Sequence, residues 1–447
     1  CIEHVKKHYN IDAQRIVLMG FSMGGAGAWH VGAHYADHWV AVSPGAGFAE
    51  TKEYIKLKPE NYPSPYVQTL WGTYDIPLYV RNLFNVPVVA YSGEIDKQIQ
   101  AAQVMERAFI AEGQTLTHII GPKMGHRYAP ESLADIMQRM EHAATTGQVD
   151  VPSEIHLQTR TLRYNRMHWV QALQLTQHWL DSRIDGKIRD NGVVDIQTTN
   201  ITCFQIEKKI FGPLGPLRSV IIDGNSISLP EKQSRATVVF TRVEKNWKLG
   251  DHRAAGISKG PQLQGPIDDA FLDPFLVVLP SGVSKNPQVE RWIKFESQHF
   301  LDRWRSLYRG TPRIKLDKFV TKEDQQNYNL ILWGDFQTNS VLKQLLSNSF
   351  TKTGVIQWDT KQLHINNKDY DVRTHVPILI TPNPTAPEKY IVINSGPTHR
   401  EGHDRTNSLQ NPKLPDWAVI DITTAPNDVV PGKIVDAGFF DEYWKYK

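Results

Sequence analysis

The chain has 447 residues, a formal net charge of +3, 40% hydrophobic and 22% charged residues; the length points to two or three domains and the balance is that of globular proteins. No basic run stands out, which removes nucleic acid from the partners, and no stretch reaches the roughly 18 continuous apolar residues of a membrane span. The two cysteines, Cys1 and Cys203, offer neither a disulfide framework nor a metal cluster, and neither a metal nor a cofactor is expected.

From Cys1 to about Thr146 apolar strands alternate with helical stretches, the signature of a parallel α/β sheet. After an amphipathic segment, Ile2 to Tyr9, an apolar run from Arg15 to Met19 leads into Gly20-Phe21-Ser22-Met23-Gly24-Gly25. A small-residue segment then reads as a helix to about Tyr35. Strand, Gly-x-Ser-x-Gly and helix in succession form the pattern of a nucleophile elbow. Ser22 at its apex needs a strained backbone and small neighbours, which Gly20 and Gly24 supply, while Gly25, Ala26 and Gly27 let the helix approach the sheet. The helix N-terminus behind the hydroxyl favours negative charge on a substrate oxygen.

Trp39 to Pro44 is a short buried strand. Gly45 to Leu83 is loop-rich, with many aromatics and prolines, and reads either as a substrate-pocket wall or as a packed surface excursion. Val86 to Tyr91 is an apolar strand that ends in the acidic turn Ser92-Gly93-Glu94-Ile95-Asp96. Gln98 to Glu112 is helical, Leu116 to Gly121 is a last short strand, and Met124-Gly125-His126-Arg127-Tyr128 lies in the loop beyond it. A helix from Pro130 to about Ala144 closes the unit. Ser22, Asp96 and His126 thus each follow a strand, in the chain order of α/β-hydrolases, and in a parallel sheet those strand ends share one edge. There His126 takes the Ser22 proton, and Asp96 holds the imidazole tautomer and stabilises its cation. Gly125 lets that loop turn. Glu94 and Asp75 compete with Asp96, which has the usual post-strand position. His118, inside a strand, reads as structural. His30 and His34, one turn apart on the elbow helix, lack a third metal ligand.

The segments Asp12-Ala13-Gln14-Arg15-Ile16, the elbow itself, Ser92 to Asp96, and Gly125-His126 resemble the prolyl oligopeptidase family and related esterases of the α/β-hydrolase superfamily. The resemblance covers roughly the first third of the chain. It implies a serine hydrolase with Ser22 as nucleophile, Asp96 as acid, His126 as base and the Met23 N–H as one oxyanion donor. The family's sheet has strands ahead of its nucleophile that carry part of the oxyanion hole, whereas here the elbow strand follows one element after Cys1, with no signal-peptide pattern. The expectation is the C-terminal part of a longer protein, any export signal lying in the missing part. The second oxyanion donor, the compartment and the oligomeric state stay open.

From about Val151 to Leu263 the texture changes. Glu154 to Leu162, Val193 to Ile206, Ser219 to Leu229 and Ala236 to Val243 alternate apolar and polar residues between Gly, Asn and Asp turns. Asp223-Gly224-Asn225-Ser226 is a hairpin signal, and the segment reads as a β-sandwich, a spacer or a carbohydrate-binding module. From about Gly265 the α/β pattern returns, with strands at Pro274 to Leu279, Asn329 to Gly334, Val376 to Ile380 and Tyr390 to Ile393. Helices fall at Asn286 to Tyr308 and Val341 to Ser347. Polar residues at these strand ends, including Asp335 and His399, suggest a second pocket or simple loop caps. This last region is expected to restrict access to Ser22, as other domains do in oligopeptidases.

The expected fold is therefore α/β: a partial α/β-hydrolase sheet over 1–148, a β-sandwich over 149–263 and a second α/β domain over 264–447. The expected activity is cleavage of a peptide or amide through an acyl-enzyme, with a carboxylesterase acting on acyl or carbohydrate esters as the alternative. A binding or scaffold protein with a vestigial hydrolase fold is the rival of another class.

Overall fold

The computed structural model describes residues 2–189, 192–207, 217–230, 236–350 and 354–447. The chain forms two compact units: the residues up to Tyr62 with Gly72–Ala254, and Pro63–Trp71 with Ala255–Lys447.

The first unit begins with the helix α1 (Ile2–His8), whose side chains are all outside the core. Four strands then form a parallel sheet in chain order: β1 (Val17–Phe21), β2 (Ala41–Gly45), β3 (Val89–Gly93) and β4 (Thr117–Gly121). The connecting helices are α2 (Met23–His34), α3 (Ile99–Ala111) and α4 (Pro130–Thr146). The strands β2 and β3 are buried along their whole length, whereas β1, at the edge, is half-buried throughout. Their near-continuous apolar sequences suit strands covered on both faces.

Ten further strands follow: β5 (Glu154–Thr159), β6 (Arg166–Met167), β7 (Val170–Leu175), β8 (Ser182–Arg189), β9 (Val193–Thr199), β10 (Ile201–Glu207), β11 (Ser219–Ile222), β12 (Asn225–Ser228), β13 (Thr237–Val243) and β14 (Asn246–Leu249). They make two five-stranded sheets, β14-β13-β10-β7-β6 and β12-β11-β9-β8-β5. Alternate residues of both sheets, such as Ile184, Ile196, Phe204 and Phe240, are fully buried in one shared core, as in a β-sandwich. The hairpin expected at Asp223-Gly224 joins β11 to β12, with φ of 50° and 84° at the two turn residues, the double positive φ that matches strand twist.

That core is continuous with the α/β layer: Tyr79, Val80 and Leu83 belong to the same apolar cluster as Ile155 and Leu157. Asn82 and Gln158 exchange hydrogen bonds (3.0 and 2.6 Å) across this junction, and Glu112 receives both Arg81 and Arg183 at 2.8 and 2.7 Å. The sandwich is therefore fastened by packing and ion pairs to the sheet that carries the elbow. Cys203 is a buried free thiol; Cys1 lies outside the described residues.

In the second unit a seven-stranded mixed sheet has the order β16-β15-β17-β22-β21-β23-β24. Its strands are β15 (Phe275–Leu279), β16 (Arg313–Leu316), β17 (Asn329–Leu332), β21 (His375–Asn383), β22 (Ala386–Ile393), β23 (Trp417–Asp421) and β24 (Lys433–Gly438), and β18 (Gln357–Trp358), β19 (Leu363–Ile365) and β20 (Lys368–Tyr370) form a small separate sheet. The first four strands of that order run parallel and the rest antiparallel. The long helix α5 (Pro287–Tyr308) is capped by Asn286, whose side chain accepts from Gln288 and Val289 N–H, and it buries Val289, Trp292, Ile293 and Phe300. The overall class is the expected one, α/β with β-rich parts; β16, β23, β24 and the three-stranded sheet were not read from the sequence. Among the described residues no helix is long and apolar enough to cross a membrane.

Candidate active site

The elbow is built as its sequence demands. Ser22 links β1 directly to α2 with φ 57° and ψ −116°, a conformation that costs on the order of 1–3 kcal/mol for a non-glycine residue and is stable only where its surroundings enforce it. Those surroundings include the Ser22 N–H, which donates to Gly45 O at 2.8 Å, and a helix pressed close to the sheet. A Cβ on Gly20 would lie 2.1 Å from Gly24 O, and one on Gly25 the same distance from Gly45 O. A Cβ on Gly24 would meet nothing within 4 Å, and the same holds at Gly27. Of the small residues expected to permit the turn, Gly20 and Gly25 are the ones sterically required. Ser22 occupies the cap position of α2, yet its side chain makes no capping hydrogen bond. The hydroxyl is turned elsewhere.

It is turned to His126. Ser22 Oγ lies 2.7 Å from His126 Nε2, and His126 Nδ1 lies 2.8 Å from Asp96 Oδ2. Asp96 Oδ1 accepts the Gln98 N–H at 2.9 Å, so both carboxylate oxygens are engaged. The Asp96 side chain is 4% exposed and that of His126 43% exposed: the carboxylate is sealed in protein while the imidazole meets solvent. The three residues, remote in sequence, form one hydrogen-bonded chain at the carboxyl ends of three parallel strands, with Met23 N–H in the first turn of α2 beside them.

The rivals for these positions have other partners. Glu94 Oε2 accepts the Lys123 N–H at 2.6 Å, tying the acidic turn to the histidine loop. Asp75 Oδ1 accepts the Thr51 N–H and hydroxyl at 2.8 and 2.7 Å, and burial pushes its carboxyl up to about 7. His118 is held by Glu106 and Ser92 at 2.8 and 3.0 Å, a structural histidine as expected. His30 packs at a tilt against Tyr74 and His34 stacks on Tyr164, and burial drives His30 down to about 3 and His34 well below its usual range. Of all His, Asp and Glu groups described, His299, Glu401 and Asp428 alone have ligand atoms close enough for a metal, within 4.8 Å. Glu401 is already engaged by His299 at 3.0 Å and by Arg303 at 3.3 Å.

Sequence reasoning missed the residues that aim the imidazole. Tyr91, in the middle of β3, donates its hydroxyl to Arg127 O and receives the Ala129 N–H, both at 2.8 Å. Its ring packs on Tyr128 at 4.5 Å, Tyr128 packs on Phe21 at 4.8 Å, and Phe21 packs on His126 at 4.9 Å. The segment that immediately follows His126 is thus held by Tyr91, and the imidazole itself rests on an aromatic stack rooted in the sheet. The close approach falls at Gly93, where a Cβ would sit 2.2 Å from Gly125 O, whereas Gly125 itself has open space. An aromatic residue inside an otherwise aliphatic strand was the available signal. The expected pocket around Asp335 and His399 divides in two. Asp335 shares a small cavity with Ser284 and caps a turn through Gln337 and Thr338 N–H; His399 lines a separate, larger cavity.

Residues 2–117 match the model of a family described as putative esterases. A curated relative, described as an uncharacterized secreted protein of Arthroderma benhamiae, is 23% identical over 273 residues. That match covers 57% of this chain and 29% of the relative, so the chain spans less than a third of the relative's length. Similar solved structures include S-formylglutathione hydrolase (FrmB) from Staphylococcus aureus, at 16% identity and TM-score 0.26, over 32% of this chain and 60% of that one. A putative dipeptidyl aminopeptidase IV from Bacteroides ovatus matches at 15% identity and TM-score 0.27, over 33% and 21% of the two chains. An S-formylglutathione hydrolase from Agrobacterium tumefaciens matches at 19% identity and TM-score 0.26, over 32% and 53%. Each of these structural likenesses spans about a third of the chain.

Proposed function

We propose that the protein is a serine hydrolase that cleaves esters through an acyl-enzyme formed on Ser22. The observation that carries this reading is the hydrogen-bonded series Asp96–His126–Ser22, with 2.8 and 2.7 Å links. With its proton on Nδ1, His126 donates to Asp96 and accepts the Ser22 hydroxyl proton at Nε2 as Oγ bonds to the substrate's carbonyl carbon. The imidazolium so formed lies against the Asp96 carboxylate, which offsets its charge from a position shielded from water. The carbonyl oxygen takes up negative charge, and the Met23 N–H at the start of α2 supports it. Collapse breaks the ester bond, with the His126 proton passing to the leaving alcohol. A water, deprotonated by His126, then releases the acid and restores Ser22.

The family-model match to putative esterases over the elbow region favours an ester over the peptide bond that the motif resemblance put first. Peptide cleavage is kept as the second reading on that resemblance, because one triad serves both reactions. A non-catalytic scaffold has no need of a strained serine whose hydroxyl is withheld from its own helix cap. A fluorophosphonate probe tests the reading: it labels the wild type and leaves Ser22→Ala unlabelled. An unlabelled wild type refutes it. Comparing rates on p-nitrophenyl acetate and on aminoacyl p-nitroanilides then separates ester from peptide. Export is proposed from the description of the curated relative as secreted; recovery of the native protein only from the cell interior refutes it.

A further inference from the structure

Lys259 and Asp416 meet deep inside the second unit. The Lys259 Nζ lies 2.7 Å from Asp416 Oδ2, and both side chains are 0% exposed. Backbone hydrogen bonds hold each residue in place. The Lys259 N–H donates to Glu442 O at 2.8 Å. Asp416, immediately before β23, donates its N–H to Gly438 O at 3.1 Å, and its O accepts the Ile380 N–H at 2.8 Å. The surroundings are apolar: Nζ sits 5.1 Å from the centre of the Trp444 ring, and Trp417, Phe440 and Trp444 belong to the buried core.

As an ion pair this arrangement is poorly satisfied. The ammonium has three protons to donate, and among the described residues Asp416 is its one hydrogen-bond acceptor. Asp416 Oδ2 accepts twice, from Nζ and from the Phe440 N–H at 2.9 Å, whereas Oδ1 is buried with no donor. The Gly265 backbone presses on that orphaned oxygen, so closely that a Cβ on Gly265 would lie 2.1 Å from it. Burying a pair of charges is offset only when the remaining protons and lone pairs find partners. Here two N–H groups and one oxygen do not. Glu442 and Lys447 are near as well, since Lys259, Glu442 and Asp416 all act on the Lys447 ammonium; being opposite in sign, they add no net charge.

We propose that Lys259 and Asp416 condense into an intramolecular amide, with Nζ bonded to Cγ. One ammonium proton passes to the carboxylate along the 2.7 Å hydrogen bond, giving a neutral amine and a carboxylic acid and removing two charges from a dry site. The amine lone pair bonds to Cγ, a second nitrogen proton moves to the departing oxygen, and the C–O bond breaks to release water. The three ammonium protons end as one on the amide nitrogen and two on the water, with no other reactant. The oxygen that remains takes the Phe440 N–H. The product has one N–H and one oxygen where the pair had three and two, so the unsatisfied groups are those that the reaction removes. Contact enforced by the fold supplies the proximity that the condensation needs.

The link joins residues 157 positions apart and fastens the start of Ala255–Lys447 to the sheet, which restricts the unfolded chain. It uses none of Ser22, Asp96 or His126 and is independent of the hydrolase reading.

Intact-mass spectrometry of the full 447-residue protein, purified folded and then denatured, tests this. The wild type weighs less than its sequence by one water, and trypsin releases a branched peptide that joins Lys259 to Asp416. Lys259→Arg and Asp416→Ala each show the full mass of their sequences, and Ser22→Ala keeps the link. A wild type at its full sequence mass overturns the proposal. So does a water loss that persists in Lys259→Arg, or one that maps to Asp185-Gly186 or Asp223-Gly224, where a succinimide accounts for it. The wild-type mass and peptide map decide the matter even where a variant fails to fold.

Discussion

Replacing Asp96 by asparagine is the sharpest test of the proposed site, because the structure dictates how the amide must sit. The Gln98 N–H donates to Asp96 Oδ1 at 2.9 Å, so the substituted amide keeps its carbonyl oxygen there and turns its NH₂ toward His126 Nδ1, where the carboxylate now accepts at 2.8 Å. Facing a donor, Nδ1 becomes an acceptor and the ring proton moves to Nε2. That proton then points at Ser22 Oγ, 2.7 Å away, where an acceptor is needed. Inverting the tautomer costs about 10³–10⁴ in turnover, or roughly 4–5 kcal/mol of transition-state stabilisation. The assay is kcat/KM on p-nitrophenyl acetate, with Glu94→Gln in parallel. Glu94 holds the Lys123 N–H, an anchor that glutamine reproduces, so this control loses less than about tenfold. If Asp96→Asn stays within tenfold of the wild type while Glu94→Gln collapses, the carboxylate role belongs to Glu94 and the geometric reasoning fails.

The two glycines of the elbow motif separate in the same way. Gly20→Ala drives a Cβ to within 2.1 Å of Gly24 O and lowers stability by about 1–3 kcal/mol or more, whereas Gly24→Ala, in open space at the first turn of α2, is neutral or gains about 0.5–1 kcal/mol; urea unfolding reads both, and equal losses would contradict the packing described. Asp75, raised by burial to about 7, holds its proton in the folded state between about pH 4 and 7, where the unfolded chain has released it. Stability contributed by this group therefore falls as pH rises across that window, and Asp75→Asn, which keeps an acceptor for Thr51, raises the unfolding midpoint at pH 8 by the equivalent of about 1–3 kcal/mol and leaves it little changed at pH 4. A larger gain at pH 4 than at pH 8 would reverse the sign and refute the assignment. Lys259 and Asp416 form a fully buried ion pair of 2.7 Å, so Lys259→Met strands the carboxylate and destabilises the second unit by about 3–5 kcal/mol; calorimetry showing no loss would mean that the pair is not desolvated.

What the sequence determines by itself is whatever short-range physics controls. Strand, Gly20-Phe21-Ser22-Met23-Gly24 and helix follow one another within a few residues, and the strain at Ser22 is written in that local order. The hairpin at Asp223-Gly224 and the helix capped by Asn286 are legible for the same reason: turn chemistry and capping act between near neighbours. Ser22, Asp96 and His126 could be nominated because a parallel sheet brings the ends of its strands to one edge. Their meeting was a matter for tertiary packing. Only the folded loops give Asp96 to His126 and Glu94 to Lys123, residues of one turn with interchangeable chemistry. The clamp from Tyr91, the crowding at Gly20 and Gly93 rather than Gly24 and Gly125, and the separation of Asp335 from His399 likewise depend on atoms remote in sequence. So does the mixed sheet of the second unit, whose β23 and β24 are added antiparallel by pairing that no local pattern announces. Close packing decides such questions at the scale of an ångström, finer than any periodicity in the chain records.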